Sequence, residues 1–179
     1  MGVRADRSVE VRLPDGRVLT GRLHKDWSVS AARELVGRTG DLSHAYKQIA
    51  VLPEHRRFAI VAVVEKETGE TPYFVSWALL FGETAAVYAF NRVARALQRV
   101  CTSLGDLGLV NYFDDYPQLE AARLAESARA TFKGVFSLLG WELAGDGKDC
   151  DFAKEFVVLG VQVVLADAPS GQIGREQGL

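Results

Sequence analysis

The stretch Leu109-Val110-Asn111-Tyr112-Phe113-Asp114-Asp115-Tyr116 constrains this chain more than any other. Residues 109–113 have the apolar, aromatic composition of a buried strand. The run then delivers two adjacent carboxylates. Asp115 is followed by Tyr116 and Pro117, which reads as a tight turn at a strand end. Neighbouring aspartates repel each other, and withdrawing both from water is costly unless a cation sits beside them. The plain alternative is a solvated turn, since Asp is a common turn residue. What lies upstream decides between the two.

Residues 37–42 form a candidate strand that ends on another carboxylate, Asp41, where a rigid element can aim a side chain at a ligand. Residues 42–49 then turn tightly, with Tyr46 available to pack beneath the turn. Residues 57–65 are apolar and β-branched, 66–70 are polar with Gly69, and 72–80 return with Tyr73, Phe74, Val75 and Trp77, a hairpin that feeds Phe81-Gly82. A helix over 83–102 follows, burying Ala86, Phe90, Val93, Leu97 and Val100. Beside that face runs a stripe of Tyr88, Arg92, Arg95 and Arg99, which by itself is a solvated basic face. A second amphipathic helix is expected over 119–139, with Ala122, Ala125, Ala128, Phe132, Val135, Phe136 and Leu139 on one side and Gly140 ending it. Short strands at 141–143 and 156–165 complete the pattern. At the start, residues 8–22 read as a hairpin, and Ser28 or Ser30 caps a short helix running to about Val36. Residues 166–179 read as a frayed tail or a cut end.

Several motifs, in one order, resemble the reverse transcriptases of retrotransposons. Tyr112-Phe113-Asp114-Asp115 resembles the Tyr-x-Asp-Asp box, and Asp41-Leu42-Ser43-His44-Ala45-Tyr46-Lys47-Gln48-Ile49 resembles the first polymerase motif. Phe81-Gly82-Glu83-Thr84-Ala85-Ala86 resembles the turn that opens the second motif. Lys148-Asp149-Cys150-Asp151-Phe152 resembles a Lys-Cys-x-Phe stretch, and Val158-Leu159-Gly160 the Phe-Leu-Gly after it. On this resemblance the fold is α+β: an antiparallel sheet with helices packed on one face, the reverse-transcriptase palm. Residues 1–40 would be a hairpin and helix leading into the palm as part of the fingers, 41–165 the palm, and 166–179 the tail. The chain would be a palm fragment or a decayed copy, lacking a thumb and most of the fingers or the rest of a polyprotein.

The resemblance also implies a chemistry. Asp41 and Asp114, expected to face one another across adjacent strand ends, would bridge two Mg²⁺ ions, or Mn²⁺, with Asp115 as a further ligand or electrostatic support, for nucleotidyl transfer from deoxynucleoside triphosphates to a primer on an RNA or DNA template. Leu42, Ser43, Tyr46, Phe81 and Gly82 would bind the nucleotide, with Tyr46 excluding a ribose 2′-OH. Tyr88, Arg92, Arg95 and Arg99 would touch nucleic-acid phosphates. Lys148 would be the proton donor to pyrophosphate, or else an ordinary turn lysine. Gly40, Leu80 and Val87 depart from the family pattern, and the bare Gly40 is expected to loosen the strand that aims Asp41. The net charge of −2 argues against a free-standing, non-specific nucleic-acid binder but not against a palm, whose centre is acidic. Cys101 and Cys150, the two cysteines, form no zinc or disulfide pattern, and no signal or membrane run is seen, so an intracellular, soluble protein is expected. A non-catalytic, domesticated nucleic-acid-binding module and a metal-dependent nuclease or phosphatase remain as other readings.

Overall fold

The computed structural model describes residues 2–3, 6–12, 16–22, 34–145, 149–165 and 174–176. Its strands are β1 (Gly2–Val3), β2 (Ser8–Arg12), β3 (Val18–Arg22), β4 (Leu35–Asp41), β5 (Ile60–Ala62), β6 (Tyr73–Val75), β7 (Asp115–Ala121), β8 (Glu155–Val158), β9 (Val161–Val164) and β10 (Gly174–Glu176). Two α-helices are described, α1 (Thr84–Leu104) and α2 (Ala125–Leu138), with 3₁₀ turns at Ala45–Gln48, Pro53–Phe58 and Ala122–Leu124. The strands form small antiparallel sheets, β1-β2-β3, β10-β9-β8, β4-β7 and β5-β6, so the chain is a mixed α+β fold.

β4 and β7 are the centre. Their ladder runs from Leu35 opposite Ala121 to Asp41 opposite Asp115. Side chains alternate across a strand, so Val36, Arg38 and Gly40 share one face with Tyr116 and Gln118 of β7. That face is buried, and the helices cover it: Phe132 and Phe136 of α2 pack on Tyr116, and Phe90, Ala94, Leu97 and Cys101 of α1 close the core. The Tyr116 hydroxyl donates to the Ala94 carbonyl at 3.3 Å, fastening the strand to α1. Burial pushes the Cys101 thiol up to about 11, as expected of a packing residue rather than a reactive one. On the other face, Thr39 Oγ1 donates to the Val157 carbonyl at 2.8 Å and Gly37 bridges to Ala153, so the β8–β9 hairpin leans against β4.

Several expected elements are redrawn by pairing. Residues 109–113 do not form a continuous strand; Leu109 bridges Gln118 and Tyr112 bridges Asp115. The turn is Phe113-Asp114 rather than 115–117, and Asp115 already belongs to β7. Residues 119–121, expected as the start of a helix, finish β7, because their ladder with Leu35–Gly37 overrides a helical composition. The strand over 156–165 is a hairpin that folds back at Leu159-Gly160, both with positive φ (51° and 75°). The buried face of α1 is Ala86, Phe90, Ala94, Leu97 and Cys101, one position on from Val93 and Val100. Three residues of the expected tail pair with β9 as β10. The helix expected from Ser28 or Ser30 falls mostly on residues 23–33, outside the described residues, and Val36 itself is in β4.

Gly40 does not leave slack in β4. A Cβ there would lie 2.7 Å from the Phe132 ring, so the ring occupies the space a side chain would take. Gly37 is matched in the same way by Phe156 on the opposite face, at 2.1 Å. Gly40→Ala is therefore expected to destabilise the fold by about 1–3 kcal/mol through overpacking. Gly134, in α2 with nothing within 4 Å of a built Cβ, should instead gain up to about 1 kcal/mol on Gly134→Ala. Urea denaturation of the two variants beside the parent chain checks both signs.

Candidate functional site

The Tyr112–Asp115 hairpin turn is held by reciprocal backbone bonds: Tyr112 N–H to the Asp115 carbonyl at 2.9 Å and Asp115 N–H to the Tyr112 carbonyl at 3.0 Å. Its two central residues are Phe113 and Asp114. Phe113 has a φ of 53°, a conformation that glycine usually supplies in such turns and that costs a residue with a Cβ about 1–2 kcal/mol. The Asn111 side chain donates to the Phe113 carbonyl and braces the strained residue.

The register fixes the carboxylates. Asp41 stands opposite Asp115, not Asp114, and these two line a pocket of about 410 Å³ with Thr39, Asp151, Glu155 and Phe156. Asp114 lies on the turn next to them, where its carbonyl accepts from Leu42 N–H at 3.3 Å, and it opens into a second, mainly apolar pocket of about 670 Å³. Like charges directly opposite in a β ladder disfavour pairing, which is the condition a cation relieves. Hard carboxylate oxygens suit Mg²⁺ or Mn²⁺ in kind. In arrangement, two of the three aspartates come into register and the third is adjacent; no three acid, His or Cys side chains among the described residues converge as a metal-holding group.

The second pocket joins the segments that the sequence singled out. It is lined by Leu42, Ala45, Tyr46 and Lys47 from the turn after β4, by Phe81 and Gly82, and by Phe113 and Asp114. Tyr46, 8% exposed, stacks on Phe90 at 4.5 Å and meets Phe81 edge-on at 5.5 Å. It is thus both a core residue and a pocket wall. Burial, and then the negative charge of Asp114, push its phenol above the ordinary value. Gly82, at φ 98°, makes the turn that only glycine takes without strain, and Phe81 beside it is 89% exposed.

Ser43 lies in a separate pocket with His44, Lys47, Gln48, Gly140 and Glu142. Its N–H donates to the Glu142 carbonyl at 3.0 Å, and the Leu42 N–H is given to Asp114, so these two amides are committed within the fold. Gln48 locks this turn in place. Its side chain donates to the Ser43 and Glu142 carbonyls and accepts from Glu142 N–H at 2.8 Å. Tyr88, Arg92, Arg95 and Arg99 are exposed on α1 and line neither pocket. Lys148 lies outside the described residues.

The sequence reading missed a charged cluster beside the site. Arg38 is 1% exposed, 3.3 Å from Asp149, with its guanidinium between the rings of Phe132 (5.5 Å) and Phe152 (5.6 Å). Arg129 also pairs with Asp149 at 2.6 Å, Lys133 joins it, and Arg129 reaches Asp151 as well. Burial lowers the Arg38 pKa, and the Asp149 charge works against that shift. The signal was an arginine on the same strand face as Val36 and Gly40, where a solvated residue does not belong.

No protein-family model matches this chain, and no curated protein matches it either. Among the described residues, no helix is long and apolar enough to cross a membrane.

Burial works to raise the Asp149 carboxyl, but hydrogen bonds from Arg129 and Lys133 and the charge of Arg38 outweigh it and hold it below its ordinary 3.8. A depressed carboxylate contributes stability that is complete above its unfolded value and lost as pH falls through its folded value. Stability should therefore decline on acidification below about pH 4. Asp149→Asn should remove that part of the acid response and cost about 2 kcal/mol or more at neutral pH, because Arg38 loses its counter-charge. Urea midpoints measured across pH for the variant and the parent check both statements.

Proposed function

We propose that this chain is the palm region of a retroelement RNA-directed DNA polymerase. The observation that carries the reading is the pocket shared by the turn after Asp41, the Phe81-Gly82 turn and Asp114, segments far apart in sequence that the polymerase motifs name together. The Asp41–Asp115 register beside it supports the same reading.

In this account Asp41, Asp115 and Asp114 are the residues that would hold divalent Mg²⁺ or Mn²⁺, which when bound supplies charge neutralisation for the triphosphate and lowers the pKa of a primer hydroxyl. The chain's own part is positioning. β4 and β7 hold two carboxylates at fixed separation, and the strained Phe113 turn aims the third. Gln48 keeps the 42–48 turn against Glu142. Tyr46, pinned by Phe90, gives the sugar a rigid apolar wall that excludes a 2′-OH. The Tyr88, Arg92, Arg95 and Arg99 stripe is a phosphate track on α1, and Lys148 is the candidate proton donor to pyrophosphate. Residues elsewhere in a longer polymerase would complete the grip on template and primer. A non-catalytic palm that keeps the fold is the second reading; it is favoured by the absence, among the described residues, of a convergent three-ligand group.

The test is metal-dependent binding of a fluorescent deoxynucleoside triphosphate. Binding is expected with Mg²⁺ or Mn²⁺, abolished by EDTA, and weakened at least about tenfold by Asp41→Asn or Asp114→Asn, in line with loss of one ligand from a charge clamp. Tyr46→Ala, confirmed as folded by circular dichroism, should admit the ribonucleoside triphosphate while losing about 3 kcal/mol of stability. Tyr46→Phe should keep both discrimination and stability. Binding that ignores the metal and both aspartate variants would sink the polymerase reading.

A further inference from the structure

The β5–β6 hairpin and the residues flanking it carry large side chains that are mostly exposed. Phe58 is 70% exposed, Tyr73 74%, Phe74 55% and Trp77 67%. Apolar surface of this extent on a two-stranded sheet is unusual unless it binds something. Two arginines settle what kind of thing. The Arg56 guanidinium lies over the Trp77 ring at 3.9 Å, and the Arg57 guanidinium lies 4.8 Å from the Phe58 ring. The Arg56 Nε is itself buried and makes no hydrogen bond to another described residue.

Cation–aromatic pairs at exposed positions offer stacking surface and positive charge in the same place. That combination fits single-stranded nucleic acid, whose bases stack on rings and whose phosphates need cations. A protein partner burying these rings would have to desolvate both guanidinium groups as well. Charge along the hairpin also picks the end. The base has Arg56 and Arg57, while the tip carries Glu65, Glu67 and Glu70 against Lys66. Backbone hydrogen bonds anchor the base. Val51 N–H donates to the Trp77 carbonyl at 2.9 Å, Leu79 N–H to the Ile49 carbonyl at 2.9 Å, and Ser76 N–H to the Ala59 carbonyl at 2.7 Å. Ser76, next to Trp77, lines the Tyr46 pocket, so the platform borders that pocket.

We infer that the base of this hairpin, Arg56, Arg57, Phe58 and Trp77, is a stacking site for single-stranded nucleic acid without sequence preference. The site goes beyond the polymerase reading, because it needs neither metal nor carboxylate.

Fluorescence anisotropy with labelled oligo(dT) and oligo(rU), in EDTA at low salt, tests it on the full chain. Both oligonucleotides should bind, and added salt should weaken binding. Trp77→Ala should reduce affinity about 5- to 150-fold, the range of one base stack, and Phe58→Ala should act similarly. Arg56→Gln with Arg57→Gln should flatten the salt dependence. Leu138→Ala, an exposed change on α2, should leave binding unchanged. The inference is overturned if neither oligonucleotide binds, or if Trp77→Ala and Phe58→Ala bind as tightly as the parent. It is also overturned if only charge removal at Arg92 and Arg95 weakens binding, or if size-exclusion chromatography gives a dimer that Trp77→Ala dissolves while oligonucleotides have no effect. Because the assay excludes metal, its failure is separable from failure of the triphosphate assay: either can fail while the other succeeds.

Discussion

The register of β4 against β7 is the constraint on which the rest depends. Seven residue pairs, from Leu35–Ala121 to Asp41–Asp115, decide which side chains meet. A slip of one residue would turn every β4 side chain to the opposite face. It would carry Asp41 away from Asp115 and put a Cβ where Phe132 now fills the space over Gly40. Phe156 over Gly37 makes the same demand from the other face. The two glycines, which weaken a strand in general, here act as slots that accept one alignment only.

Arg38 reinforces that alignment in a different currency. A buried ion pair contributes little net stability, since desolvation offsets most of the attraction. In the observed register the guanidinium reaches Asp149 beside the rings of Phe132 and Phe152. Asp149 in turn gathers Arg129 and Lys133, so the segment after residue 148 is tied to both β4 and α2. The β5–β6 hairpin stands in contrast. Over residues 57–77 Ala59 is the one buried position, so this part draws little on the core and sits at the low-stability end of the fold. Its exposed rings are therefore free to serve binding rather than packing.

Much of this was legible in the chain, and the failures share a cause. Asp41 at the end of a strand, the 57–80 hairpin and the amphipathic α1 follow from alternation and helical period, which are local signals. The aspartate pair at 114–115 was recognised, but its division was not. Periodicity treated 109–113 as the strand and 115–117 as the turn, whereas the ladder with β4 claims Asp115 and leaves Asp114 on the turn. The same ladder took residues 119–121 from the helix. Gly40 read as a weakness because its partner ring, Phe132, lies 92 positions along the sequence. Arg38 and Asp149 are likewise a long-range pair. What sequence could not supply in each case was the partner across space: packing brings the 42–47, 81–82 and 113–114 segments to one pocket and separates Asp114 from the Asp41–Asp115 face.

The proposed cation site rests on Asp41 and Asp115, paired across the β4–β7 ladder, with Asp114 on the adjoining turn. Paramagnetic broadening by Mn²⁺ in the ¹⁵N-resolved spectrum of the chain tests it most directly. Substoichiometric Mn²⁺ should first erase the amides of Asp41, Leu42, Asp114 and Asp115, and excess Mg²⁺ should restore them. Broadening that begins instead at the acidic hairpin tip around Glu65, Glu67 and Glu70, or that spreads evenly over surface carboxylates, would contradict it.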